Sequence, residues 1–181
     1  MSVKWQPMFD DLVRERYSRL VAFATLLAGS AQSEDLVQEA LIATFSRRRD
    51  FPTVGHAEQY VRRAIANKYI DEQRKWKRDS RRAEATAPSD FLSDHSDAVA
   101  ADSDLVRYLG SLPPRTRACI ALRFLDDASV RDTAAALGLS EGAVKRYVSD
   151  GLSLLKAQLG DIAGVDVPHT VHVEDTRGSS S

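Results

Sequence analysis

Between Tyr60 and Arg82 the sequence sets cations among aromatic rings. Arg62, Arg63, Lys68, Arg74, Lys75, Lys77, Arg78, Arg81 and Arg82 are interleaved with Tyr60, Tyr69 and Trp76. Guanidinium and ammonium groups follow a phosphate backbone, and flat rings offer a stacking face to bases that have left the duplex. Asn67 adds a side-chain amide of the kind that reads a base edge, and with the preceding loop Phe51–His56 it could form a pocket for a flipped base. Tyr60 and Tyr69 fit the inward side of an amphipathic helix equally well. Trp76, surrounded by charge, does not.

A second constellation lies at residues 129–155. Ser129 is placed to cap a short helix through Val130, Thr133, Ala134 and Leu137. Gly138-Leu139-Ser140 then makes a tight turn, and Ser140 caps a second helix, Glu141–Leu155, with Val144, Val148, Leu152 and Leu155 inward. That pattern predicts a helix-turn-helix. Burying Val144 and Val148 leaves Glu141, Gly142, Lys145, Arg146 and Ser149 outward, where a helix lying in the major groove reaches base edges. An αα-corner in a helical bundle has the same outline. The cap, the glycine turn and the outward Lys-Arg pair together favour DNA.

Catalytic chemistry finds little support. His56, His95, His169 and His172 have no carboxylate or nucleophile at informative spacing, and no glycine-rich phosphate loop is present. Cys119 stands alone, which excludes an internal disulfide and a cysteine-cluster zinc site; on an inward helical face it reads as a small core residue. The expectation is a binding protein with no cofactor and no metal, in a reducing, cytoplasmic setting.

The elements that must position these groups are helical throughout. In a chain of 181 residues, 25 Lys+Arg against 26 Asp+Glu give a net charge of −1. The charge is unevenly spread: residues 47–82 hold 12 basic and 5 acidic groups, and residues 83–104 hold six acidic and no basic groups. Apolar steps of three and four residues predict a helix from Phe9 to Ala28, one from a Ser33 cap to Arg49, and a third from Ala57 to Arg82. Ser- and Asp-rich residues 83–104 read as a flexible acidic linker spanning roughly 25 Å, long enough to hold two small domains apart. Periodicity resumes with Leu105, Val106 and Leu109, and Pro113-Pro114 opens a helix over Arg115–Leu125. The expected organisation is therefore all-α: a helical domain over 1–82, the linker over 83–104, a helix-turn-helix domain over 105–160 and a flexible tail over 161–181. The longest apolar run, Leu20–Ala28, is too short to span a bilayer, and the first residues lack the apolar core of a secretory signal.

Four motifs in this order resemble a known family. Ser33-Glu34-Asp35-Leu36-Val37-Gln38-Glu39-Ala40 is similar to the core-polymerase-binding helix of extracytoplasmic-function (ECF) sigma factors of the actinobacterial type. Tyr60 through Asp71 is similar to their promoter-melting helix. Leu112-Pro113-Pro114-Arg115-Thr116-Arg117 with Leu122-Arg123-Phe124 resembles the start of their last domain, and Gly142-Ala143-Val144-Lys145 resembles the recognition helix.

The resemblance implies a transcription initiation factor with two DNA-reading surfaces and one polymerase-binding face. Asp35, Gln38, Glu39 and Ile42 would meet the clamp helices of the largest core RNA polymerase subunit, and the last domain would rest on the flap of the second-largest. Tyr60, Arg62, Arg63, Asn67, Lys68, Asp71, Arg74 and Lys75 would engage the melted minus-ten element of promoter DNA. Glu141, Gly142, Lys145, Arg146 and Ser149 would read the minus-thirty-five element. An anti-sigma factor is a further partner class that the resemblance allows, and membrane insertion is not expected. Asp150 stands where the family generally has Arg, and Gly151 where it has Ala; Asp150 is four residues after Arg146, within ion-pair reach of it. A stand-alone helix-turn-helix regulator, with the first block as sensor or dimerisation domain, is the alternative.

Overall fold

The computed structural model describes residues 5–47, 49–86 and 104–163, and among these all regular structure is helical. Three helices form the first unit: α1 (Trp5–Ala28), α2 (Ser30–Phe45) and α3 (Val54–Thr86). A single residue, Gly29 at φ 82°, joins α1 to α2, in the left-handed region that a side chain would oppose. Because that turn is so tight, α2 begins at Ser30, four residues earlier than the Ser33 cap predicts. Ser33 is buried within the helix, and its hydroxyl donates to the Ser30 carbonyl at 3.0 Å. The expected cap at Ser33 is thus replaced by an in-helix hydrogen bond.

The inward stripes are those the periodicity predicts. Leu12, Leu20, Phe23, Ala24 and Leu27 of α1 meet Leu36, Val37, Ala40, Leu41 and Phe45 of α2, with Val61, Ile65 and Tyr69 of α3 closing the core. Phe45 anchors an aromatic chain at its edge: Phe9 lies 5.3 Å away edge-on, Phe51 lies 5.7 Å away, and Phe51 in turn sits 5.4 Å from Tyr60. Those contacts clamp the 46–53 connection against α3. Thr53 caps α3, its Oγ1 accepting from the His56 amide at 3.2 Å. The helix is 33 residues long, which is about 50 Å. It extends past Arg82 to Thr86, so the first four residues of the expected linker are helical.

The second unit comprises α4 (Asp104–Gly110), α5 (Pro114–Ile120), a π-helical turn (Ala121–Leu125), α6 (Val130–Leu137) and α7 (Glu141–Ala163). Pro114 at the start of α5 loses no hydrogen bond, since a first-turn amide has no helical acceptor. Where one helix was expected over Arg115–Leu125, α5 gives way to the π turn after Ile120. Cys119, Ala134 and Val144 form the small core between α5, α6 and α7, and burial pushes the Cys119 thiol up to about 11, as befits an inert core residue. The linker residues 87–103 and the tail beyond Ala163 lie outside the described residues.

Helices α5 and α7 approach closely at Gly151. A Cβ there would lie 2.4 Å from Ile120 Cδ1 and 2.6 Å from Thr116 Cγ2. Alanine would gain about 1 kcal/mol of helix propensity but overpack the crossing by roughly 1–3 kcal/mol. Gly151→Ala is therefore expected to lower unfolding stability by up to ~2 kcal/mol in urea titration. A stabilised variant would show that the helices separate freely at this point.

The two units do not stand apart. Ala118, Ala121, Leu122 and Ala128 of the second join the core of the first, and Leu26 of α1 packs with Leu109, Leu112, Ile120 and Leu155. Arg117 Nη1 reaches across to donate to the Leu27 carbonyl at 2.6 Å, with its guanidinium 5.6 Å from the Tyr69 ring. The described residues of the two units are docked.

Candidate nucleic-acid interface

The helix-turn-helix has the geometry its sequence predicts. Ser129 Oγ accepts from the Asp132 amide at 3.0 Å, and Ser140 Oγ from the Ala143 amide at 3.1 Å, so both serines cap. Gly138 adopts φ 61° at the turn, and the Leu139 amide donates back to the Ala134 carbonyl at 2.9 Å. Val144 is fully buried, while Glu141, Gly142, Lys145, Arg146 and Ser149 are all exposed. The Arg146 guanidinium lies 5.5 Å from the neighbouring Tyr147 ring, and the described ion pairs do not include one with Asp150, which is exposed. Hydrogen bonding to Arg115 draws the Tyr147 phenol below its usual range.

On α2, Asp35, Gln38, Glu39 and Ile42 share the face turned away from Leu36, Leu41 and Phe45. Ile42 is 69% exposed, a large aliphatic side chain with acidic neighbours. Glu39 pairs with Lys68 of α3 at 2.7 Å. Glu72 of α3 belongs to the same patch: burial, then the nearby Glu39, hold its carboxyl above the usual range. Sequence reading missed Glu72, because only the packing of α3 on α2 brings it to the acidic face.

The expected melting residues divide into two sets along α3. Asp71, Arg74 and Lys75 are exposed, with Arg74 3.5 Å from Asp71, and Trp76 is about half exposed. Tyr60 is half-buried beneath Arg49, whose guanidinium sits 4.5 Å from its ring. Tyr69 is 2% exposed, so it serves the core. Eleven residues, about 16 Å of helix, separate His56 from Asn67. The loop Phe51–His56 and Asn67 therefore share one face but not one pocket.

Arg62, Arg63 and Asn67 lie towards the second unit. Arg62 is buried; its Nη2 donates to Glu58 at 2.7 Å, and its Nη1 donates to Asp126 at 3.2 Å and to the Leu125 carbonyl at 3.0 Å. Arg63 is half-buried. Asn67 Nδ2 donates to the Ala136 carbonyl of α6 at 2.6 Å. Burial holds the Asp126 carboxyl above its usual range, against the opposing pull of Arg62. Nothing local marks Asp126 or Arg117 as partners of α1 and α3, since their contacts with Arg62 and Leu27 cross 64 and 90 residues of sequence. Among the described residues there is no group of His, Cys, Asp and Glu able to hold a metal, and no helix is long and apolar enough to cross a membrane.

A capped helix-turn-helix joined to a basic, aromatic helix defines a helical DNA-binding protein. Comparison with known proteins makes this specific. The Sigma-70 region 2 family matches residues 12–79, and the Sigma-70, region 4 family matches residues 103–155. The RNA polymerase sigma-E factor of Streptomyces avermitilis is 30% identical over 152 residues, covering 83% of this chain and 84% of that one. The ECF RNA polymerase sigma factor SigE of Mycolicibacterium smegmatis is 30% identical over 162 residues, 84% of this chain and 62% of that one. The fold is similar to that of the sigma factor RpoE solved in complex with the anti-sigma factor NepR from Bartonella quintana, with TM-score 0.63 and 23% identity over 86% of this chain and 98% of that one. The chain belongs to the ECF RNA polymerase sigma factors, and so is a promoter-specific transcription initiation factor.

Proposed function

We propose that this chain works in the cytoplasm, has no catalytic centre of its own, and divides promoter engagement among three surfaces. The α2 face of Asp35, Gln38, Glu39 and Ile42 binds the clamp helices of the largest core polymerase subunit, and the helix-turn-helix unit rests on the flap of the second-largest. Lys145 and Arg146, with Glu141, Gly142 and Ser149, read the minus-thirty-five element from the major groove. Along α3, Tyr60, Arg62, Arg63, Asn67, Lys68, Asp71, Arg74 and Lys75 engage the melted minus-ten strand, which meets the Phe51–His56 loop and then Asn67 in succession. The polymerase and minus-ten tasks belong to a domain over residues 1–82, and the minus-thirty-five task belongs to a domain over residues 105–160. An anti-sigma factor is proposed as a further partner, by analogy with the complexes solved for similar folds.

One observation carries this reading: every outward residue predicted for the recognition helix is exposed on one face of a doubly capped motif whose back is Val144. The test is transcription in vitro from a genomic promoter library. Core polymerase plus this chain is expected to yield discrete start sites that neither yields alone. Specific DNA binding by the chain alone, with no change in transcription when core is added, would instead support a stand-alone regulator.

A further inference from the structure

The polymerase face of α2 and the minus-ten face of α3 meet at one ion pair. Lys68 Nζ lies 2.7 Å from Glu39 Oε2, joining residues 29 apart in sequence. The proposed function assigns Glu39 to polymerase and Lys68 to the melted strand, so each surface holds a charge that the other needs. Both side chains are open to solvent, 31% for Lys68 and 56% for Glu39, so the contact can exchange without unfolding either helix.

We propose that Lys68 is shared between the two surfaces: in the free chain it neutralises the acidic face of α2, and a cation of the polymerase displaces it from Glu39 and releases it to the minus-ten strand. The charge balance around it sets the order of events. Asp35, Glu39 and Glu72 place three carboxylates here, and the described ion pairs include none with Asp35 or Glu72. Burial, then Glu39, hold the Glu72 carboxyl above its usual range, while Lys68 pulls it down. One lysine thus answers three acids. Withdrawing it alone leaves like charges facing one another, whereas withdrawing it against an incoming cation does not. The first move is therefore the partner's.

Helical geometry gives the released ammonium a place to go. Lys68 precedes the exposed Lys75 by seven residues, about two turns of α3, so the two stand on one side of the helix. A long, flexible stem lets the ammonium leave Glu39 for a phosphate while the backbone stays in place. Such coupling is reciprocal: what polymerase gives the strand by freeing Lys68, the strand returns to polymerase by freeing Glu39. Its size is bounded by the worth of an exposed ion pair, which corresponds to about threefold in affinity.

This inference rests on the proposed roles of Glu39 and Lys68, and the experiment separates it from them. Full-length wild type, Lys68→Ala, Glu39→Gln and the double variant are titrated with core polymerase. Without polymerase, each is titrated with a fluorescein-labelled, random-sequence single-stranded DNA. Lys68→Ala is expected to bind polymerase about threefold tighter although it deletes a DNA contact, and to gain nothing once Glu39→Gln, which weakens that binding, is present. Glu39→Gln is expected to bind the single strand about threefold tighter with a steeper salt dependence, and adding Lys68→Ala should cancel the gain. If Glu39→Gln weakens polymerase binding but Lys68→Ala does not strengthen it, sharing is overturned and the α2 reading stands. An equal gain from Lys68→Ala with and without Glu39→Gln would trace it to long-range charge and overturn sharing too. So would a Glu39→Gln chain that holds the strand no tighter while Lys68→Ala still weakens its grip. Polymerase binding indifferent to Glu39→Gln would overturn the role of Glu39, and strand binding indifferent to Lys68→Ala in the Glu39→Gln chain would overturn that of Lys68; either result takes this inference with it. If Lys68→Ala lost helicity by circular dichroism, Lys68→Gln would be read by the same criteria.

Discussion

Ile42→Asp is expected to abolish co-purification of this chain with core RNA polymerase. A large aliphatic group that is 69% exposed contributes little to its own fold. It becomes valuable only when a partner removes it from water. Set among Asp35, Gln38 and Glu39 on one helix face, it has the position of an interface anchor enclosed by polar contacts. Truncation of such an anchor costs about 2–4 kcal/mol, and a carboxylate forced into the same apolar site adds desolvation, so affinity should fall at least about a hundredfold. Melting temperature should not change. The double reversal Asp35→Lys/Glu39→Lys should also weaken capture, with a marked salt dependence, because Glu39 already spends part of its charge on Lys68 at 2.7 Å. Undiminished capture of polymerase by Ile42→Asp would remove α2 from the interface.

The largest effect on stability is expected at Phe45. It is buried in α2 and contacts both Phe9 and Phe51, so Phe45→Ala leaves a cavity where three elements meet. Phe→Ala at a core site costs about 3–5 kcal/mol, a large share of the ~5–15 kcal/mol that holds a domain together. The consequence reaches function through Phe51: without Phe45 behind it, the connection that seats Tyr60 loses its clamp. Urea unfolding should show the loss, and protease cleavage between residues 46 and 53 should quicken. A cost below about 1 kcal/mol would mean that the neighbouring rings collapse into the space.

Parts of the site were legible in the sequence because short-range rules govern them. Ser129, Gly138 and Ser140 sit within one turn of the groups they satisfy, and Val144 lies on the stripe that faces α6. The outward set Glu141, Gly142, Lys145, Arg146 and Ser149 follows by helical geometry alone. The α2 face containing Ile42 follows in the same way from Leu36, Leu41 and Phe45. Ser33 misled because a serine one turn inside a helix can bond back to a carbonyl as readily as it caps, and the glycine at 29 started the helix early. The resemblance places Ala where Gly151 stands. The approach of Ile120 and Thr116 gives the physical reason for glycine in this chain.

By itself, the sequence determined an all-helical chain, its register of buried and exposed faces, a helix-turn-helix and a basic aromatic helix, because each depends on residues three or four apart. Only the tertiary structure decided that Arg62 meets Asp126, that Asn67 meets the Ala136 carbonyl, and that Glu72 joins the face of Asp35 and Glu39. Those partners are 64 and 69 residues apart for the first two, and their encounter depends on how two preformed units dock. An arginine suited to a phosphate is equally suited to a carboxylate. Periodicity says which way it points, and the other unit decides what it finds there.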